Sequence, residues 1–384
     1  MITFTLPALI DAFPLTAQLF DPTTQPMRAS VVILNATGIN SKLYRDFASW
    51  LAKQDIGVVT FDYRYTGLSW PPELKHLVGQ EATRESHIAA LRKVPKDVAI
   101  TSHWAQRDAA AVVRYAADRW PAAPLTVLGH SLGGMMIPLL HQEMHLITRC
   151  LNVCGGNLHV DNYTDPLEWC HGIRSRIHAH IEKDRIFYGS RMSLGEDFSY
   201  GPGKEWLQWF MSPRCAQHTP QAEQMTRKFN KPYLYIGFED DHIAGRRFLT
   251  QHAALFSNGD GRKASLWINP ATQSPPWPTC GHVKSFVASK ATKAAASPAA
   301  HPNTLLTRAE TIWTLYRDYI VQGEVDRTVG TYRVWQPEDE FDPIERAEWV
   351  YSLEAGEPLR KRRLDGGGSI PGFSVISAAG VAKL

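Results

Sequence analysis

Six short stretches of this chain are almost continuously apolar, and the segments between them are apolar on one face only. The first is Val31-Val32-Ile33-Leu34, followed by a loop carrying Asn35, Thr37, Gly38 and Asn40. The others centre on Gly57–Phe61, Leu125–Leu128, Cys150–Val153, Tyr233–Gly237 and Ala264–Ile268. Runs of this length suit strands buried on both faces of a parallel sheet. Between them, Leu43, Phe47, Trp50 and Leu51 recur at helical spacing. Residues 102–120 predict a helix, with Ser102 as N-cap and Ala109, Val112, Val113 and Ala116 on one face. Met135–Leu140 predicts a further apolar helix. Strand–helix alternation of this kind requires a mostly parallel sheet with helices on both faces, an α/β fold whose site lies at the carboxyl ends of the strands.

The alternation breaks over 157–225. There Tyr163, Trp169, Phe187, Tyr188, Phe198, Tyr200, Trp206, Trp209 and Phe210 cluster around Gly201-Pro202-Gly203. This segment is read as an inserted cap over the strand ends, between core segments 1–156 and 226–325. Residues 288–303, rich in Ala, Lys, Ser and Pro, predict a flexible connector within the core. The amphipathic stretch 305–321 is expected to pack back on the sheet as a helix. From 326 to 384 a polar C-terminal extension with little structure of its own is expected.

Composition narrows the function. Of 384 residues, 44% are hydrophobic and 21% charged, the profile of a globular protein. The net charge of +3 comes with no basic stripe, which argues against nucleic acid as a partner. Cys150, Cys154, Cys170, Cys215 and Cys280 form neither a disulfide framework nor a C-x-x-C zinc motif, so reduced thiols and no metal are expected. No cofactor motif is present either. The N-terminus lacks the pattern of a secretory signal, and no stretch is long and apolar enough to span a bilayer. The last three residues, Ala382-Lys383-Leu384, resemble the S-K-L class of peroxisomal address. An import receptor is therefore an expected partner, with peroxisome or cytoplasm as the expected location.

The chemistry centres on Gly129-His130-Ser131-Leu132-Gly133, a G-x-S-x-G motif between an apolar strand and a helix. A serine on such a bend presents its hydroxyl above the sheet, and a Cβ at either glycine would meet the neighbouring strand or helix. A serine hydroxyl needs a base, and an acid to orient that base. In this arrangement the order is serine, acid, histidine. His282, after the last strand, is the candidate base. Asp241 is the candidate acid, with Asp240 as the alternate. The backbone N–H groups of Leu132 and Ile39 are the candidate oxyanion donors, and His130 is assigned to packing or a structural hydrogen bond.

These residues, with Asn35-Ala36-Thr37-Gly38, Tyr44, Asp62-Tyr63-Arg64, Trp104, Asp108 and Gly134, resemble the α/β-hydrolase superfamily, and within it a sparsely characterised group of predicted hydrolases. The resemblance runs from about residue 5 to 290. It implies the α/β-hydrolase fold and a Ser-His-Asp hydrolase acting on an ester or thioester of an apolar small molecule. An acyltransferase or another non-hydrolytic enzyme of a biosynthetic pathway is the alternative, and a catalytically inactive binding module the second. The chain departs from the pattern at Arg64-Tyr65, where Arg-Gly is usual, and at Thr37, where histidine is frequent. The added connector and tail, with the final tripeptide, imply an accessory enzyme of fungal lipid or secondary metabolism.

Overall fold

The computed structural model describes residues 1–79, 81–162, 175–192, 194–255, 263–288 and 307–334. Expectations placed on Tyr163, Trp169, Cys170, most of the 288–303 connector and the final tripeptide fall outside the described residues.

Among the described residues nine strands form one sheet: β1 (Ile2–Pro7), β2 (Pro14–Phe20), β3 (Ala29–Leu34), β4 (Ile56–Phe61), β5 (Leu125–His130), β6 (Arg149–Val153), β9 (Tyr233–Phe238), β10 (Lys263–Ile268) and β11 (Thr331–Val334), in the spatial order β1-β2-β4-β3-β5-β6-β9-β10-β11. The six central strands, β4 to β10 in that order, run parallel. They are the six apolar runs of the sequence, and every residue in β3, β4, β5, β9 and β10 is buried. Both faces are covered, which is why these runs do not alternate.

The two edges were not legible in the pattern. An N-terminal hairpin, β1–β2, pairs antiparallel with β4, and β1 is largely exposed. At the other edge β11 pairs antiparallel with β10, so part of the expected unstructured tail is a strand. Both are amphipathic or polar edge strands, which lack the signal of a buried one.

The predicted helix at 102–120 begins earlier and is wound differently. Ile100–Ala109 forms a π-type turn, with Trp104 N–H reaching Ala99 O at 3.2 Å, before the α-helix Ala110–Arg119. Ser102 is not its cap; its hydroxyl meets His103 Nδ1 at 2.8 Å. The first amides are satisfied by the distant Glu205 carboxylate instead, from Ile100 N at 2.5 Å and Thr101 N at 3.1 Å. After Ser131 the helix is short, Leu132–Met136, and tightens over Ile137–Leu139, where Pro138 removes a donor.

Between β6 and β9 the chain inserts the helices Ser175–Asp184, Tyr200–Met211 and Pro220–Arg227 and a two-stranded ribbon, β7 (Ile186–Phe187) with β8 (Phe198–Ser199). The last helix crosses the expected boundary at 225. The insert has its own aromatic core: Phe187 stacks on Phe198 at 4.2 Å, and Trp206 lies parallel to Phe210 at 5.9 Å. Phe187, Phe198, Trp206, Trp209 and Phe210 are all buried. These rings are therefore mainly packing residues of the insert. The helix Ile312–Gln322 returns to the sheet as expected, burying Trp313, Tyr316 and Ile320. No helix among the described residues is long and apolar enough to cross a membrane.

Arg64 is buried and bonded to Asp108 through its Nε at 2.8 Å and to Asp11 at 2.6 Å. Tyr65, at the position where glycine is usual, has φ of 61°. That backbone region disfavours a side chain, so the departure noted in the sequence sits at a strained turn.

Candidate active site

Parallel strands place their carboxyl ends side by side. In the register, Leu34 lies beside Gly129, His130 beside Val153, and Val153 beside Ile236. The loops that follow these strands carry Ser131, Cys154 and Asp241, and the loop after β10 brings back His282.

Ser131 takes φ 52°, ψ −115°, and its N–H is held by Val153 O at 2.9 Å. The flanking glycines have steric reasons. A Cβ on Gly129 would lie 2.4 Å from Gly134 N, and one on Gly133 would lie 2.2 Å from Leu34 O. The bend leaves Ser131 Oγ 2.9 Å from His282 Nε2. The other ring nitrogen, Nδ1, lies 2.9 Å from Asp241 Oδ2. Because a carboxylate only accepts, Nδ1 carries the proton and Nε2 is free to accept the serine O–H.

Asp241 is buried, and its Oδ1 accepts the N–H groups of Ile243 at 2.8 Å and Ala244 at 2.9 Å. Burial raises its pKa, but His282 and these two amides outweigh that and hold it below the ordinary 3.8. Asp240, the alternate acid, points elsewhere. It accepts Cys280 N at 2.9 Å and Gly281 N at 3.0 Å, fixing the backbone of the loop that carries His282. Adjacent aspartates thus take separate tasks, one on the ring and one on its backbone.

His130 joins three loops. Its Nε2–H donates to His282 O at 2.7 Å, and its Nδ1 accepts Tyr44 O–H at 2.9 Å. Tyr44 in turn accepts Ala36 N–H at 3.0 Å. The assignment of His130 to a structural hydrogen bond therefore fits, but the span of the bridge, from Ala36 to His282, has no signal in the sequence beyond the residue types.

Full burial pushes the His130 pKa from 6.5 to about 3, helped by the neighbouring His282. The unfolded chain then binds a proton below pH 6.5 that the native chain refuses down to about 3. Stability contributed by neutral His130 is full above 6.5 and is lost as pH falls through that window. The slope is about 1.4 kcal/mol per pH unit per histidine. His130→Gln, which keeps a donor and an acceptor, is expected to lower the pH dependence of unfolding between pH 4 and 5.5 by about one proton. Urea titrations at several pH values measure this, and an unchanged slope contradicts it.

The expected oxyanion donors separate. Leu132 N–H, the first amide of its helix, makes no hydrogen bond among the described residues. Ile39 N–H does not meet the expectation: it donates to Ala36 O at 3.1 Å and closes the turn through Thr37 and Gly38. Gly38 supplies the positive φ of 62° that this turn uses. Thr37 N–H, two residues before Ile39 in the turn's centre, makes no hydrogen bond among the described residues. Sequence spacing cannot tell which amide of a tight turn is consumed in closing it.

Cys154 Sγ, the Asp241 carboxylate and the His282 ring lie within 4.8 Å of one another, the one such grouping of metal-donor atoms among the described residues. Asp241 and His282 already bond each other, and burial pushes the Cys154 thiol well up, so it stays protonated. The other described cysteines are also buried and free.

A mostly parallel, doubly covered sheet with a serine on the bend after its central strand gives this chain the α/β-hydrolase fold. The family described as serine aminopeptidase, S33, matches residues 25–192, which span the loop after β3, Ser131 and part of the insert. No curated protein matches the chain in sequence. Among solved structures, a soluble variant of monoglyceride lipase from Saccharomyces cerevisiae, in complex with a substrate analog, is similar with a TM-score of 0.54 and 15% identity, over 84% of this chain and 97% of that one. Est1E from Butyrivibrio proteoclasticus with bound ferulic acid aligns over 69% of this chain and 89% of its own, at 14% identity and TM-score 0.44. The α/β hydrolase GrgF from Penicillium sp. sh18 aligns over 73% and 90%, at 12% identity and TM-score 0.43.

Proposed function

We propose that this chain is a serine hydrolase that cleaves an ester or thioester of an apolar small molecule through an acyl-enzyme. The observation that carries the reading is the hydrogen-bonded line from Ser131 Oγ through the His282 ring to Asp241, with 2.9 Å at both steps. Nucleophile, base and orienting acid stand in the relation that acyl transfer needs.

The steps follow from the donors and acceptors. His282 Nε2 takes the Ser131 proton as Oγ bonds to the substrate carbonyl carbon. The carbonyl electrons move to oxygen, and Leu132 N–H and Thr37 N–H are the proposed donors to that oxyanion. The bond to the leaving oxygen or sulfur then breaks, and His282 returns its proton to the leaving group. A water, deprotonated by the same nitrogen, attacks the acyl carbon and releases the acid and the Ser131 hydroxyl. Asp241 holds the ring and stabilises its charged form throughout. Asp240 and His130 keep the His282 loop in place and touch no substrate. Trp206 Nε1–H reaches Thr37 Oγ1 at 3.3 Å and ties the insert to the loop that carries the proposed donor.

A panel of p-nitrophenyl esters and acyl-CoA thioesters of increasing chain length tests the reading. Turnover of at least one, together with fluorophosphonate labelling, is expected. Product analysis with added alcohol separates hydrolysis from transfer. No turnover and no labelling across the panel would reject it.

A further inference from the structure

Two carboxylates tie the loop after β3 to the loop after β4, one from the sheet side and one from the insert. From the sheet, buried Asp62 accepts Ser41 N at 2.6 Å and Leu68 N at 2.9 Å. From the insert, Glu196 accepts Asn40 Nδ2 at 2.6 Å on one oxygen and Gly67 N at 3.1 Å on the other. The main-chain N–H of Glu196 also donates to Gly38 O at 2.6 Å. The two backbones meet with no room between them. A Cβ on Gly38 would lie 2.3 Å from Leu194 O, and one on Gly195 would lie 2.1 Å from Gly38 O. Both glycines have positive φ, 62° and 94°. Trp206 adds a fourth tie from the insert, to Thr37.

The turn at 36–39 has one internal hydrogen bond of its own, Ile39 N to Ala36 O. Its direction is therefore set largely from outside, and most of what sets it comes from the insert. We propose that Glu196 is a positioning residue for the oxyanion-binding loop, so that the insert completes the anion site as well as covering it. This rests on the serine-hydrolase reading above. The chemical consequence is specific. An oxyanion donor acts on charge that develops in the transition state, so displacing Thr37 N–H lowers kcat and leaves substrate binding nearly unchanged.

The test uses the full chain, a short p-nitrophenyl ester and an alkylboronic acid as a tetrahedral adduct of Ser131. Glu196→Ala is expected to lower kcat about 10- to 100-fold with KM within about 3-fold, and to weaken boronate binding in proportion. Glu196→Gln, which keeps one acceptor, is expected to fall between. Asn40→Ala removes one arm without altering the insert, and serves if Glu196→Ala does not fold; a several-fold loss of kcat is expected. Glu205→Ala is the control, because Glu205 anchors the insert at Ile100 and Thr101, away from this loop. It is expected to lower the melting temperature and keep kcat within about 2-fold. Unchanged kcat in both Glu196→Ala and Asn40→Ala overturns the proposal. So does an equal loss in Glu205→Ala, or a loss confined to KM. A wild-type chain that neither turns over ester nor labels with fluorophosphonate overturns the hydrolase reading first, and this proposal with it.

Discussion

Ser131→Ala is expected to abolish fluorophosphonate labelling and to lower ester turnover by on the order of 10⁴- to 10⁶-fold, with the fold retained. The reason is chemical. Alanine fits the same bend but offers no oxygen to His282 Nε2, so no acyl-enzyme forms. A second substitution separates chemistry from strain. Ser131 holds φ at 52°, a region in which a side chain costs roughly 1–3 kcal/mol. Glycine adopts it freely. Ser131→Gly is therefore expected to be equally inactive yet more stable than Ser131→Ala by about 1 kcal/mol in chemical denaturation. Labelling that persists in either variant identifies another serine as the nucleophile.

Asp241→Asn and Asp240→Asn are expected to differ by about two orders of magnitude or more in kcat, although the residues are neighbours. Asparagine at 241 presents either an amide N–H₂ or a carbonyl to His282 Nδ1. Where the N–H₂ faces the ring, Nδ1 becomes the acceptor and the proton moves to Nε2, where it blocks uptake of the Ser131 proton. Where the carbonyl faces it, the charged ring loses its counter-charge. A fall of about 10³- to 10⁴-fold in kcat is expected. Asp240 receives two backbone N–H groups instead, so Asp240→Asn loosens one of them and leaves the ring's tautomer alone. Its expected loss is about 10-fold or less, with a measurable drop in stability. Equal effects, or a larger one at 240, place the acid at the other residue.

The same contrast shows what kind of information each level carries. The six central strands were legible because burial on both faces leaves an uninterrupted apolar run. The elbow was legible because close approach of backbones at Gly129 and Gly133 admits no other residue without a clash. The edge strands β1 and β11 carry no such signature, since both are largely exposed. The aromatic residues of the insert showed up readily as a cluster, but composition could not say whether they face a ligand or one another. In the folded chain they pack chiefly on one another.

By itself, the sequence determined the fold class and the bend at Ser131. Those features are local: each rests on residues within one strand, one turn or one spacing. Only the tertiary structure decided that Asp241 and not Asp240 meets the His282 ring, that Ile39 N–H is used within its own turn, and that His130, Tyr44 and Glu196 bridge loops far apart along the chain. A hydrogen bond is set by direction over a few tenths of an ångström, and neighbouring residues point to opposite sides of a loop. Which of them reaches a partner 40 or 150 residues away is fixed by how the whole sheet aligns its ends, and no pattern of residue types along the chain encodes that alignment.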